Sequence, residues 1–172
     1  PLSIMRLLLD RLEDPLTGKI KLKSTNIDIP KERVEQAKLA SKLLASDFEQ
    51  SYSWIKKARP YSEDLTELLL RRTWWPALTV VGIEGLPNLS QAGNVTIPEL
   101  SVKLSLRIPP TANAAAVQRE MSEVLQKDPP FGAQISYEGH ESFAGWHAPI
   151  LSPELETSLQ EVSQGVFGKP LA

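Results

Sequence analysis

The feature that most constrains the fold is a run of nine residues in which apolar and polar side chains alternate without exception. Leu, Val, Leu, Leu and Ile occupy every second position from 100 to 108, with Ser, Lys, Ser and Arg between them. Successive side chains of a β-strand point to opposite faces of its sheet, so this run predicts a strand with one buried and one polar face. Pro109-Pro110 ends the predicted strand.

Helical periodicity appears elsewhere in the chain. Apolar residues recur at i, i+3 and i+4 spacing, and this pattern predicts helices around 4–12, 34–48, 65–72, 117–125 and 155–166. Three of the helices follow residue types that cap N-termini, namely Ser62, Asn113 and Ser152, the last with Pro153 at the first helical position. Shorter alternating or β-rich runs predict further strands at 19–22, 78–83 and 133–137. Together these predict an α+β fold in which helices cover one face of a mostly antiparallel sheet.

The composition excludes several classes of function. Nineteen Lys and Arg against 21 Asp and Glu give a formal net charge of −2, so no basic excess would attract a nucleic acid. The chain has no cysteine, which rules out disulfides, a thiol nucleophile and Cys-ligated metals. Its apolar runs are far shorter than the roughly 20 residues that a membrane span needs. We expect a cytoplasmic protein with no nucleic-acid or membrane partner, either processed or excised from a longer chain, because it opens at Pro1 without a signal-peptide pattern.

The sequence offers little catalytic chemistry. His140 and His147 are the only histidines, and their spacing matches no standard metal site, which would need three or more convergent ligands. Ser142 lies near His140, but no carboxylate in a suitable context would orient such a pair. We therefore assign no catalytic residue and no metal ligand to this chain. Both histidines are interpreted as ordinary loop residues, and their roles stay open.

Two residues are candidates for ligand binding. Arg107 lies near the end of the alternating strand on its polar face, and its planar guanidinium suits a carboxylate. Asn94 follows Gly93 shortly before that strand and offers both a donor and an acceptor. The residues alone favour the simpler alternative, in which Arg107 is a solvated side chain and Asn94 a turn residue.

Short motifs resemble one enzyme family in their order and spacing. The chain has Leu-Leu-Asp-Arg-Leu-Glu-Asp at 8–14, Thr-Gly-Lys-Ile at 17–20, Thr-Trp-Trp-Pro-Ala-Leu at 73–78 and Gly-Ile-Glu-Gly at 82–85. Gly-Asn-Val-Thr-Ile-Pro follows at 93–98, Leu-Ser-Leu-Arg-Ile-Pro at 104–109 and Val-Phe-Gly-Lys-Pro at 166–170. These motifs are similar to those of the zinc metallopeptidases that include carnosinase-like dipeptidases, aminoacylase and succinyl-diaminopimelate desuccinylase.

The resemblance implies more than the residues do alone. In that family a catalytic domain binds two zinc ions, and an inserted ferredoxin-like lid forms the dimer. This chain resembles the lid without its opening strand, at 1–140, followed at 141–172 by a linker and the first helix that returns to the catalytic domain. By the same resemblance Arg107 binds the substrate's carboxylate and Asn94 is the family's lid asparagine. His147 is a departure, because the resemblance leads us to expect Asn there.

The expected function is therefore that of the dimerisation and substrate-anchoring lid of a dinuclear-zinc dipeptidase or aminoacylase-like hydrolase. The expected partners are a second copy, the catalytic domain of the parent chain, and a peptide or acyl-amino-acid substrate. The chain alone would hold no cofactor and would not be active. The alternative is a non-catalytic α+β interaction module, and an independent small enzyme that uses His140 is a weaker third interpretation.

Overall fold

A computed structural model describes residues 1–44, 55 and 58–171. The helices in this part of the chain are α1 (Leu2–Leu12), α2 (Lys31–Leu43), α3 (Leu65–Thr73), α4 (Ala114–Gln126) and α5 (Pro153–Phe167). The strands are β1 (Glu13–Asp14), β2 (Lys19–Ile20), β3 (Ala77–Glu84) and β4 (Ser101–Arg107). The predicted α+β class is confirmed. The predicted continuation of α2 beyond residue 44 lies outside the described residues.

The predicted alternating strand is β4, which pairs antiparallel with β3. The register joins Ala77 to Arg107 at one end and Glu84 to Ser101 at the other, with a bulge at Val81. Along β4 the polar side chains are exposed and the apolar ones half-buried, in strict alternation. The inserted residue at the bulge keeps Val80 opposite Leu104 and Ile83 opposite Val102.

The core lies between this ladder and two helices. α1 contributes Leu8 and Leu12, and α4 contributes its buried stripe. Leu104 and Leu106 of β4 pack against this cluster from the other side. The buried members of the cluster are Leu8, Leu12, Ile20, Leu22, Ala112, Val117, Met121 and Leu125. Both helices therefore cover the apolar face of the β3–β4 ladder, as the α+β pattern predicts.

The strand predicted at 133–137 forms no ladder with any described residue. Its side chains do alternate, because Ala133, Ile135 and Tyr137 are half-buried while Gln134 and Ser136 are exposed. Ile135 and Tyr137 also pack against the core cluster. The segment therefore has the burial pattern of a strand without a hydrogen-bonded neighbour.

The chain divides into two compact units. The first comprises Pro1–Asp28 and Thr73–Gly145, and contains the core described above. The second comprises the described residues of 29–72 and of 146–171. In the second unit Ser41 of α2 meets Thr66 of α3, with their hydroxyl oxygens 3.0 Å apart. None of the helices in the described ranges combines the length and apolar character that a membrane crossing requires.

Two of the three predicted helix caps are confirmed. The Asn113 side chain accepts a hydrogen bond from the Ala116 amide at the start of α4, and Ser152 accepts one from Leu155 at the start of α5. Ser62 does not cap α3. The Asp64 carboxylate accepts from the Thr66 amide at 2.8 Å, while the Ser62 hydroxyl accepts from the Asp64 amide. Asp64 directly precedes the helix, and so it reaches the first free amides that Ser62 is too distant to reach.

Candidate functional site

Arg107 is the last residue of β4, and its side chain is exposed on the polar face of the ladder. The two strands keep it there, because Leu106 and Ile108 on either side of it turn toward the core. A guanidinium at a strand end presents a planar set of N–H donors that matches the two oxygens of a carboxylate. The predicted position of Arg107 is thus confirmed, and its role stays a prediction.

The residues paired with the polar face of β4 are small. Ala77 stands directly opposite Arg107 on β3, and Thr79 stands opposite Ser105. Further along, Gly82 is opposite Lys103, where an added Cβ would lie 3.6 Å from the Lys103 Cβ. Directly opposed residues share one face of a sheet, so Ala77 and Gly82 are the β3 residues that stand directly across from the two cations.

Asn94 lies in the loop that joins β3 to β4 at the end of the ladder away from Arg107. It is exposed in the connection 85–100, which leaves the ladder where Glu84 pairs with Ser101. Six residues separate Ser101 from Arg107, which is about 20 Å at the usual rise of a strand. Arg107 is therefore the candidate at one end of the ladder, and Asn94 lies in the connection that leaves the other end.

Gly85 explains how the connection 85–100 closes on itself. Its φ is +97°, and a Cβ there would lie 2.5 Å from the Glu99 carbonyl oxygen. A side chain would force the two ends of the connection apart, so the backbone needs glycine here. Gly85, the last residue of the Gly-Ile-Glu-Gly motif at 82–85, thus allows this loop to close.

The segment that follows Tyr137 approaches the Arg107 end of the ladder. The backbone of Gly145 packs directly on Pro110, since a Cβ on Gly145 would lie 2.5 Å from the Pro110 Cα. The His140 carbonyl oxygen accepts a hydrogen bond from the Gln118 amide group at 3.2 Å. Pro109, between the strand and α4, is fully buried. The candidate site is therefore framed by the end of β4, the Pro109-Pro110 turn and the segment 139–145.

Arg11 of α1 binds the C-terminal end of α4. The sequence patterns did not identify this residue. Its guanidinium donates to the carbonyl oxygens of Val124 at 3.1 Å, Asp128 at 2.7 Å and Lys127. The last carbonyls of a helix have no partner inside the helix, so a cation there supplies both hydrogen bonds and a favourable charge.

Glu120 was also missed. Its carboxylate accepts hydrogen bonds from the amides of Lys23 and Ser24, both at 2.8 Å, and from the Ser24 hydroxyl. Burial by itself raises the pKa of Glu120, but the hydrogen bonds to Ser24 and Lys23 outweigh it and hold the pKa below the ordinary value of 4.5. No local pattern identifies such a residue, because its partners lie 96 and 97 positions away.

The described residues do not fit a metal ion. Among them no group of three or more His, Asp and Glu side chains is placed to hold one. Two shallow clefts of about 330 and 350 Å³ lie in the first unit, one beside Leu86 and Val95 and one beside Lys19 and Lys21. Neither is lined by Arg107 or Asn94.

Known proteins resemble this chain in structure. No family model and no curated protein sequence matches it. Human carnosine dipeptidase 1 superposes with a TM-score of 0.66 at 19% identity, over 99% of this chain and 36% of that enzyme. The di-peptidase Dug1p of Saccharomyces cerevisiae gives 0.64 at 18%, over 99% and 36%. The M20 family metallo-carboxypeptidase Sso-CP2 of Sulfolobus solfataricus gives 0.59 at 16%, over 99% and 38%.

These likenesses show the fold. The likeness covers 99% of this chain, and the chain spans little more than a third of the length of those enzymes. The resemblance drawn from its short sequence motifs is thereby confirmed in the fold. At identities below 20%, the likeness assigns neither substrate nor partner to this chain.

Proposed function

We propose that this chain is the lid and dimerisation part of a dipeptidase or aminoacylase-like zinc hydrolase, within which it anchors the substrate. The observation that carries the proposal is the likeness of nearly the whole chain to about a third of two dipeptidases and a metallo-carboxypeptidase. A chain that matches one part of several hydrolases is best explained as the corresponding part of another. The motifs at 73–85 and 93–109 support the same assignment.

Within this function Arg107 binds the carboxylate of the peptide or acyl-amino-acid substrate. Its position at a strand end, on the exposed face of the ladder and opposite the small Ala77, supports this role. Asn94 is proposed as a second substrate contact on the strength of its motif alone. The connection that carries Asn94 leaves the ladder at the end away from Arg107.

The zinc chemistry belongs to the rest of the enzyme. The described residues do not fit a metal ion, so the two zinc ions that the family implies would be held by the catalytic domain of the parent chain. We propose residues 1–140 as the lid and 141–172 as the return to that domain. All of α5 is described and none of its residues is buried, so its stripe of Leu155, Leu159, Val162 and Val166 is available to pack on the catalytic domain.

The exposed stripe of α5 also fits the second candidate, a non-catalytic interaction module with an unrelated partner. Activity of the complete protein distinguishes the two candidates, since only the first predicts peptide or amide hydrolysis. A cytoplasmic location is part of the first proposal, and cell fractionation tests it.

The direct test is the substitution Arg107→Ala in the complete enzyme. Loss of a charge-assisted contact to a substrate carboxylate should raise the free energy of the transition state, relative to free enzyme and substrate, by about 2–4 kcal/mol. This change lowers kcat/KM by roughly thirty- to a thousand-fold. Arg107→Lys should restore part of the loss, because an ammonium cannot reproduce the two-pronged contact. Lys103→Ala is the matched control, because it removes a positive charge from the same exposed face of β4. An Arg107→Ala enzyme with unchanged kcat/KM would refute the substrate role.

A further inference from the structure

We propose that Arg33 is a positioning residue that fastens the segment 146–148 to α2 and thereby sets where α5 begins. Arg33 lies in the first turn of α2. Its Nε donates to His147 Nε2 at 3.2 Å, one terminal nitrogen donates to the Ala148 carbonyl oxygen at 2.5 Å, and the other donates to Gln36 Oε1 at 2.8 Å. All these residues belong to the second unit. We call this set of contacts the Arg33 clasp.

The clasp engages every nitrogen of one guanidinium. Gln36 lies three residues further along α2 and holds the fork against its own helix, while the other two bonds cross to residues 114 and 115 positions away. A planar guanidinium loses little further conformational freedom with each hydrogen bond that it makes, so the three bonds from Arg33 are favourable together. The contacts to His147 and Ala148 are also part-buried, which shields them from competition by water.

The position of the clasp in the chain gives it its role. Ala148 is four residues before Ser152, the residue that caps α5. No residue of α5, all of which is described, is buried, so packing does little to hold that helix. The bonds at 147 and 148 thus attach the approach to α5 to α2. Loss of these bonds should let the segment 146–151 sample more conformations.

The clasp requires an acceptor at the outer end of the side chain at 147. His147 accepts a hydrogen bond through Nε2, so that nitrogen holds a lone pair and the ring proton lies on Nδ1. The amide oxygen of an asparagine corresponds in position to Nδ1 of the ring and does not reach far enough to replace Nε2, whereas the amide oxygen of a glutamine reaches that position. A glutamine at 147 can therefore close the clasp, and an alanine cannot.

The ring tautomer of His147 is the first test. Long-range proton–nitrogen NMR correlations of the 172-residue chain should show a proton on Nδ1 of His147, whereas free imidazoles favour Nε2. Arg33→Ala should return His147 to the Nε2-protonated form, and Arg33→Lys should preserve the Nδ1 form in part. His140 is the internal control, because its hydrogen bond with Gln118 involves the backbone carbonyl oxygen and leaves the ring tautomer unaffected. Arg119→Ala, which removes an exposed arginine of α4, is the control for charge. An Nε2 proton on His147 of the unaltered chain, or no change on Arg33→Ala, would overturn the proposal.

The second test measures mobility and works even if Arg33→Ala unfolds. His147→Gln should leave the proteolysis rate of the segment 146–151 within about twofold of the original, and His147→Ala should raise it about tenfold, because cleavage follows the population of the open state. His140→Ala should change nothing. Equal rates for the Gln and Ala variants would contradict the clasp.

A third test measures activity, and it is the only one of the three that rests on the proposed function. In the complete enzyme Arg33→Ala should lower kcat/KM about tenfold through changes in both kcat and KM, with partial rescue by Arg33→Lys, as expected for a displaced hinge. If Arg107→Ala leaves kcat/KM unchanged while Arg33→Ala alters the His147 tautomer, the proposed function fails and the clasp stands. If only the tautomer result fails, the clasp fails and the proposed function stands.

Discussion

The contact between Arg11 and the end of α4 makes a prediction at the scale of one residue. Arg11→Ala leaves the carbonyls of Val124 and Asp128 without this donor, so we expect a loss of about 1–2 kcal/mol of unfolding free energy after allowance for partial exposure. Arg11→Lys should recover part of the loss. Chemical denaturation of the 172-residue chain measures it. Arg6→Ala, an exposed arginine of the same helix, is the control and should change stability by less than about 0.5 kcal/mol.

Glu120 predicts how stability depends on pH. Hydrogen bonds from Ser24 and Lys23 hold its pKa below 4.5 in the folded chain, so the folded state releases this proton more readily than the unfolded state. A depressed folded pKa contributes stability that is present above the unfolded value and is lost as pH falls through the folded value. Glu120→Gln should therefore be less stable than the original at pH 7, by about 1–2 kcal/mol, and the difference should shrink below pH 4.5.

Denaturation series at several pH values check the Glu120 prediction, with Glu123→Gln as the control. Glu123 is an exposed carboxylate of the same helix. A constant difference between the original chain and Glu120→Gln from pH 7 to pH 3 would show that the carboxylate's charge plays no part in the contact.

Sequence patterns identified local contacts of single residues and missed distant ones. The caps Asn113 and Ser152 were predicted because each bonds to an amide three residues ahead. Arg11 and Glu120 were missed because their partners lie about 100 positions away along the chain, and no periodicity reports such a distance. Ser62 was placed as a cap because its residue type is suitable, but Asp64 has a suitable side chain and stands next to the helix.

At the scale of elements, alternation of apolar and polar residues predicted one strand correctly and a second one only in part. β4 was predicted because it alternates over nine residues, and its pairing with β3 confirms it. The segment 133–137 alternates equally well and packs on the core through Ile135 and Tyr137, yet it has no ladder partner among the described residues. Alternation reports which face is buried, whereas a ladder also requires a neighbouring strand within hydrogen-bonding distance.

The candidate site shows the same limit. The alternation correctly placed Arg107 on the exposed face of β4, because burial of its neighbours decides that face. Nothing local in the sequence tells at which end of the ladder the connection with Asn94 leaves it. The register between β3 and β4 shows that this connection leaves at the end away from Arg107.

At the scale of the whole molecule, we expect the chain to associate. Within the described residues β4 pairs along one side only, and an unpaired strand edge is a template for a further strand. Exposed apolar side chains on β3 and α5, such as Val81 and Val162, add to this tendency. Static light scattering at micromolar concentrations should give the mass of a dimer or a larger species. A monomer mass that persists across a concentration series would mean that dimerisation needs more than this chain.

The central claim is that Arg107 anchors a substrate carboxylate, and a thermodynamic cycle in the complete enzyme tests it most directly. The cycle compares kcat/KM of the original enzyme and of Arg107→Ala on a dipeptide and on the same dipeptide with a C-terminal amide. Because the amide has no charged carboxylate to bind, the account predicts that Arg107→Ala loses roughly thirty- to a thousand-fold on the dipeptide and less than about threefold on the amide. An equal loss on both substrates would contradict it, because the effect of Arg107 would then not depend on the carboxylate.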